Sequence, residues 1–232
     1  VSAVNAVALL AAAGGDYQIS RSVRLRSSAS AYFNRTPGSA GSRTTWTWSG
    51  WVKRGTLGGT VCLLAGSDGA ASSDAFYLSA DAISYFQSGV GAVRSSTAVY
   101  RDPSAWYHIV GVSDTTNATA QSRFRIYVNG VEVTAWATNS TITQNRNGFI
   151  NSNTPQLVGA NAGPSQYFDG YITEVNFIDG QALTPSSFGE TDAITGVWKP
   201  KKYAGTYGTN GFYLNFSDNS SNTATTIGKD NS

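Results

Sequence analysis

The chain has 232 residues, of which only 13 % are charged, and its formal net charge is +2. An average soluble domain carries roughly 25 % charge, so the polar surface here must come from Ser, Thr, Asn, Gln and Gly, which suit turns and strands and suit helices poorly. Scattered cations near neutrality argue against nucleic acid as a partner, and one Cys with one His excludes an intrachain disulfide and a zinc site of nitrogen and sulfur ligands.

In chain order, the opening stretch VSAVNAVALLAAAGG is apolar but shorter than the about 20 residues a membrane span needs, and it lacks the basic start of a signal peptide. Membrane insertion is not expected. Residues 1–16 read as an arm that packs against another subunit, or as disorder. The basic runs Arg21, Arg24, Arg26 and Lys199, Lys201, Lys202 read as solvated faces or as contacts to an acidic neighbouring subunit. Strand signals begin at Tyr17. In TTWTWSGWVK, Trp46, Trp48, Gly50 and Val52 fall on one face and Thr45, Thr47 and Ser49 on the other, with Trp51 placing a large ring on the polar side. Cys62 sits in the apolar run Val61–Leu64 and is expected to be a buried, inert thiol.

WYHIVGVSD sets Trp106, His108, Val110 and Val112 on one side, with Tyr107 and Ile109 on the other. SRFRIYVNGVEV is the clearest hairpin, because Asn129-Gly130 supplies the two positive-φ positions of a type I′ turn. YFDGYITEVNFIDG predicts a strand with Tyr171, Thr173, Val175 and Phe177 on one face and Ile172, Glu174 and Asn176 on the other. A helical turn is expected at Thr184-Pro185, with Thr184 as cap. After Glu190 the Gly-, Lys- and Tyr-rich GVWKPKKYAGTYGTNG reads as an extended connection to a further strand, FYLNFSD. Many short strands between Gly/Ser/Asn turns indicate a sandwich or barrel. The natural chain is expected to continue beyond Ser232.

The run YHIVGVSD…SRFRIYVNGVEV…LVGANAGPSQYFDGYITEVNFIDGQALTPSSF resembles the LamG-like, concanavalin A-like lectin/glucanase superfamily. The elements that carry the likeness are Trp106 with His108, Ile126 to Gly130, and Phe168 to Leu183; Thr173 departs from the usual Asp, so no polar role is carried over to it. The resemblance implies an all-β, two-sheet antiparallel jelly-roll sandwich over residues 17–190, with the arm before it and an extended segment, 191–232, after it. The wording YQISRSVRLRSSASAYFNRTPGSAG and TGVWKPKKYAGTYGTNGFYLNFSDNS looks closer still to a subset encoded by tailed phages. That likeness implies a virion protein of a tail fibre, head fibre or capsid decoration, on the capsid or tail surface and assembled in the host cytoplasm. Its partners would be other virion proteins, further copies of itself as a homotrimer, and a host cell-surface glycan.

Catalysis is not expected. Glycoside hydrolysis needs two carboxylates about 5 to 10 Å apart, whereas the three glutamates, Glu132, Glu174 and Glu190, are widely separated, and the nearest pair, Asp169 with Glu174, falls on opposite strand faces. His108, in an apolar strand, reads as a hydrogen-bonded core histidine rather than a general base. Many LamG-like domains bind Ca2+, for which the loop GSDGAASSD offers Asp68 and Asp74, although both are equally good turn formers. Sugar binding needs rings with neighbouring amides. The candidates are Trp51, Tyr85 with Gln87, Trp136 with Asn139, and Tyr167 with Gln166, each weighed against core or subunit packing; for Trp46, Trp48 and Trp106 packing is the expectation.

Overall fold

The computed structural model of the chain describes residues 17–68 and 72–232, so the arm expected over 1–16 lies outside the described residues. Among the described residues sixteen strands follow in order. The first six are β1 (Val23–Leu25), β2 (Phe33–Arg35), β3 (Thr45–Arg54), β4 (Val61–Ser67), β5 (Ser73–Ser79) and β6 (Ala82–Gln87). Next come β7 (Gly91–Val99), β8 (Tyr107–Asp114), β9 (Phe124–Val128), β10 (Val131–Glu132) and β11 (Trp136–Asn139). The last are β12 (Gln156–Val158), β13 (Gly170–Asp179), β14 (Gly189–Thr191), β15 (Trp198–Pro200) and β16 (Phe212–Leu214).

They form two seven-stranded antiparallel sheets. The first runs β1-β13-β3-β8-β9-β10, with β16 also on β13; the second runs β11-β7-β6-β5-β4-β12-β2; β14 and β15 make a separate hairpin. The sheets meet face to face over one large core. Trp46, Trp48 and Val52 point into it from β3, as the alternation predicts, and Gly50 between them leaves room for the Trp48 ring, which a Cβ there would meet at 2.8 Å. From the second sheet Phe76, Leu78, Ile83 and Tyr85 face them, and the Tyr85 ring stacks on Phe124 of the first sheet at 3.8 Å and 8°. Each such side chain removed from water stabilises by about 1.5–3 kcal/mol. Asn129 and Gly130 take φ of 49° and 81°, the two positive values the tight β9–β10 turn demands.

The structure corrects the expected facing of β13. Ile172, Val175 and Phe177 are the residues in the core, while Tyr171 and Thr173 point outward. The cause is a bulge at Glu174, whose φ is 50°: Thr173 pairs with Trp51 and Asn176 with Ser49, so two residues oppose one and the alternation slips by a residue. A second correction concerns Thr184. The turn at Pro185–Ser187 forms with Pro at its start, yet Thr184 makes no side-chain cap and its hydroxyl pairs with Ser186 instead.

The segment after Glu190 lies on its own sandwich. Phe188, Tyr203 and Tyr207 cover Val110, Val112 and Ile178 on the outer face of the first sheet, and β16 then joins that sheet along Val175–Phe177 of β13. Most of its aromatic side chains thus pack within the chain, whereas Ile194 and Val197 at the β14–β15 turn stay exposed.

Candidate functional site

The outer face of the first sheet holds a row of three rings. Trp51 of β3 stacks on His108 of β8 at 5.0 Å and 28°, and Trp198 of β15 stacks on the other side of the histidine at 5.9 Å and 23°. Trp198 fits because Gly130 and Gly189 flank it; a Cβ on either would reach its ring at 2.5 Å. The Trp198 indole N–H donates to His108 Nδ1 at 3.0 Å, so that nitrogen carries no proton, and Nε2–H is left to donate to Ser49 Oγ at 2.8 Å. A serine and a histidine at this distance look like a nucleophile and its base. The tautomer is the reverse of what that chemistry needs, because the histidine gives its proton to the serine. Burial also drives the His108 pKa down to about 3.

The carboxylates are committed too. Asp169 accepts from Arg24 and from the backbone and hydroxyl of Ser27. Glu174 is buried under the phenols of Tyr17 and Tyr213, each 2.7 Å from Oε2, and burial raises its pKa. Asp74, offered above as a calcium ligand, is fully buried in a two-pronged ion pair with Arg146, and takes further bonds from the backbone of Ser88 and Phe149. Its oxygens are filled, which removes it from any calcium site; Asp68, by contrast, stays exposed. Among the described residues no group of three or more His, Cys, Asp or Glu could hold a metal.

Beyond Trp51 the same face opens. A cleft of about 350 Å³ is lined by Ile19, Ser20, Arg21, Ser22, Trp51, Trp106 and Thr173. Ligand pockets start near roughly 300 Å³. Two indoles wall it, one held nearly buried by the histidine stack and the other 36 % exposed. The Thr173 hydroxyl donates to the Arg21 carbonyl at 2.6 Å and pins the chain before β1 along the cleft. Trp106 was expected to be packing; the structure corrects this, because the residue lies one position before β8 begins, beyond the reach of the C-terminal cover.

The sequence candidates for sugar contact are dispersed. Trp51 lines the cleft. Tyr85 and Gln87 belong to the interior, at 3 % and 2 % exposure, since both share the inward parity of Ile83 on β6; neither can offer a face to a ligand. Trp136 and Asn139 lie on β11, at the sheet edge: the tryptophan packs against the core with the Arg94 guanidinium 5.8 Å from its ring, and Asn139 is exposed. Tyr167 is half-buried on the outer face of the second sheet, 6.0 Å from Tyr32, and the exposed Gln166 accepts from Asn161. Of the residues that line the cleft, sequence reasoning had named Trp51 alone as a candidate; it missed Trp106, Thr173 and the segment Ile19 to Ser22, Arg21 included. The signal available was Trp106 beside a Pro-Ser turn, where strand cover ends.

A two-sheet antiparallel sandwich with this strand order is a lectin-like fold. Residues 27–187 match the Laminin_G_3 family of the concanavalin A-like lectin/glucanases superfamily, and the chain belongs to that family. A search of curated proteins finds no match. Among solved structures, NanB with Optactamide is similar at a TM-score of 0.51 and 16 % identity, over 74 % of this chain and 28 % of that one. A candidate carbohydrate binding protein from Bacteroides ovatus ATCC 8483 gives 0.49 and 14 %, over 75 % of this chain; this chain spans 47 % of that protein's length. The Ruminococcus gnavus IT-sialidase CBM40 gives 0.48 and 13 %, over 72 % and 93 %. At these identities the likeness is one of fold.

Proposed function

We propose that the chain is a non-catalytic carbohydrate-binding module and that its saccharide lies in the cleft between Trp51 and Trp106. The observation that carries this reading is a cleft of ligand size with an exposed indole at its mouth. The C–H face of a sugar ring stacks on an indole while its hydroxyls take hydrogen bonds, and Ser20, Ser22 and Thr173 line the same space. The covering of His108 and the engagement of Asp169 and Glu174 support binding without turnover. The test is a glycan array followed by titration of its best ligand into the protein. Trp106→Ala should weaken binding at least about tenfold while lowering stability by less than about 1 kcal/mol; undiminished binding would sink the assignment to this cleft.

The phage-like wording of TGVWKPKKYAGTYGTNGFYLNFSDNS supports a setting on a virion surface, capsid or tail, where the module serves host attachment. Self-association as a homotrimer goes with that setting. Light scattering that returns a monomer would count against the trimer, and cryo-electron microscopy of the particle would place the chain or exclude it.

A further inference from the structure

We infer that the cleft selects an acidic saccharide, with Arg21 as the residue that reads the anion. This rests on the cleft being a sugar site and adds the class of ligand. Arg21 lines the cleft, is exposed, and has no ion-pair partner among the described residues. Most other arginines are spent within the fold: Arg54 and Arg101 on Asp81, Arg146 on Asp74, Arg24 on Asp169, Arg35 near Asp230, and Arg43, Arg94 and Arg123 on backbone carbonyls.

Among the described residues no carboxylate lines the cleft to neutralise it. The nearest in sequence to the wall residue Thr173 is Glu174, which the bulge turns toward Tyr17 and Tyr213. Asp169 is held by Arg24 and Ser27. An exposed arginine on an open surface is ordinarily just a solvated charge. Arg21 differs in its setting: it lines a cleft that two indoles wall, and its carbonyl is fixed by Thr173, so its backbone is held at the site. A guanidinium fork takes a carboxylate through two parallel hydrogen bonds. The bound sugar would stack on Trp106 and present its carboxylate to Arg21.

The experiment is calorimetric titration of the protein with matched pairs: a glucuronate-terminated trisaccharide against its carboxyl-reduced, glucose-terminated form, and sialyllactose against lactose. At least one acid should bind about tenfold or more tighter than its neutral partner, with the preference shrinking as salt is raised. Arg21→Gln should bring the acid to the affinity of the neutral sugar, Arg21→Lys should restore part of the preference, and Trp106→Ala should weaken both members. Circular dichroism confirms that these surface variants fold. Equal affinity for acid and neutral sugar, with binding still dependent on Trp106, overturns the inference and leaves the cleft as a sugar site. An acid preference that survives Arg21→Gln also overturns it. Binding of none of the four probes overturns both readings.

Discussion

The outer face of the first sheet is covered at one end and open at the other, and similar side chains line both. At the covered end His108, Val110 and Val112 lie beneath Trp198, Phe188 and Tyr203, and the histidine has a partner on each ring nitrogen. At the open end Trp51 and Trp106 border a cleft with no such lid among the described residues. Strand sequence alone does not separate them, since WYHIVGV continues one alternation through both. What separates them is a segment about ninety residues further along the chain (Trp198 pairs with His108). An aromatic on a strand thus becomes core or platform according to what a distant segment covers.

The largest effect should come from lifting that cover. Trp198→Ala removes a ring packed against His108, Gly130 and Gly189 and leaves the histidine with an unmet acceptor. Loss of a large aromatic from a packed site costs about 3 kcal/mol or more, read as a fall in the urea midpoint. A loss below about 1 kcal/mol would mean the segment is loosely docked, and the contrast between the two ends would collapse.

Acid should act next most strongly, and on the covered end. His108 has a folded pKa of about 3 against about 6.5 unfolded. Between those values the unfolded chain binds a proton that the folded chain does not. The stability is whole above about pH 6.5 and is lost as pH falls toward 3, by about 2 kcal/mol at pH 5. Glu174 works in the opposite sense: its raised pKa favours the fold while the group is protonated and withdraws that support as pH rises through the folded value. Comparing urea midpoints at pH 7 and pH 5 for the wild type and His108→Gln isolates the histidine, and the variant should lose most of the acid sensitivity. An identical pH dependence in the two proteins would show that water reaches the ring.

The sequence carried the sandwich well and the site poorly, for identifiable reasons. The faces of β3 and the Asn129-Gly130 turn follow from period-two alternation and from positive φ, both local properties. The slip in β13 does not, because Glu174 is an ordinary strand residue whose left-handed backbone is held by Tyr17 and Tyr213, far away in the chain. Tyr85 illustrates an error of parity that was open to correction: it shares a face with Ile83, but Phe86 on the opposite face blurs the pattern. Asp74 reads as a turn-forming ligand in its loop and is in fact the buried partner of Arg146, seventy-two residues on.

The smallest effect on stability should come from Trp106→Ala, and its smallness is the point. The ring is 36 % exposed and starts no strand pairing, since β8 begins one residue later. It also lies outside the large core and outside the cluster under the C-terminal cover. Surface substitutions of this kind usually change stability by no more than about 0.5 kcal/mol; allowing for the part of the ring that packs, we expect less than about 1 kcal/mol. Trp198→Ala should thus unfold the protein more readily while leaving the cleft's walls in place, and Trp106→Ala should spare the fold while stripping the cleft of its platform. If instead Trp106→Ala destabilises by as much as Trp198→Ala, the open end is a packing surface like the covered one, and the ring there is structural.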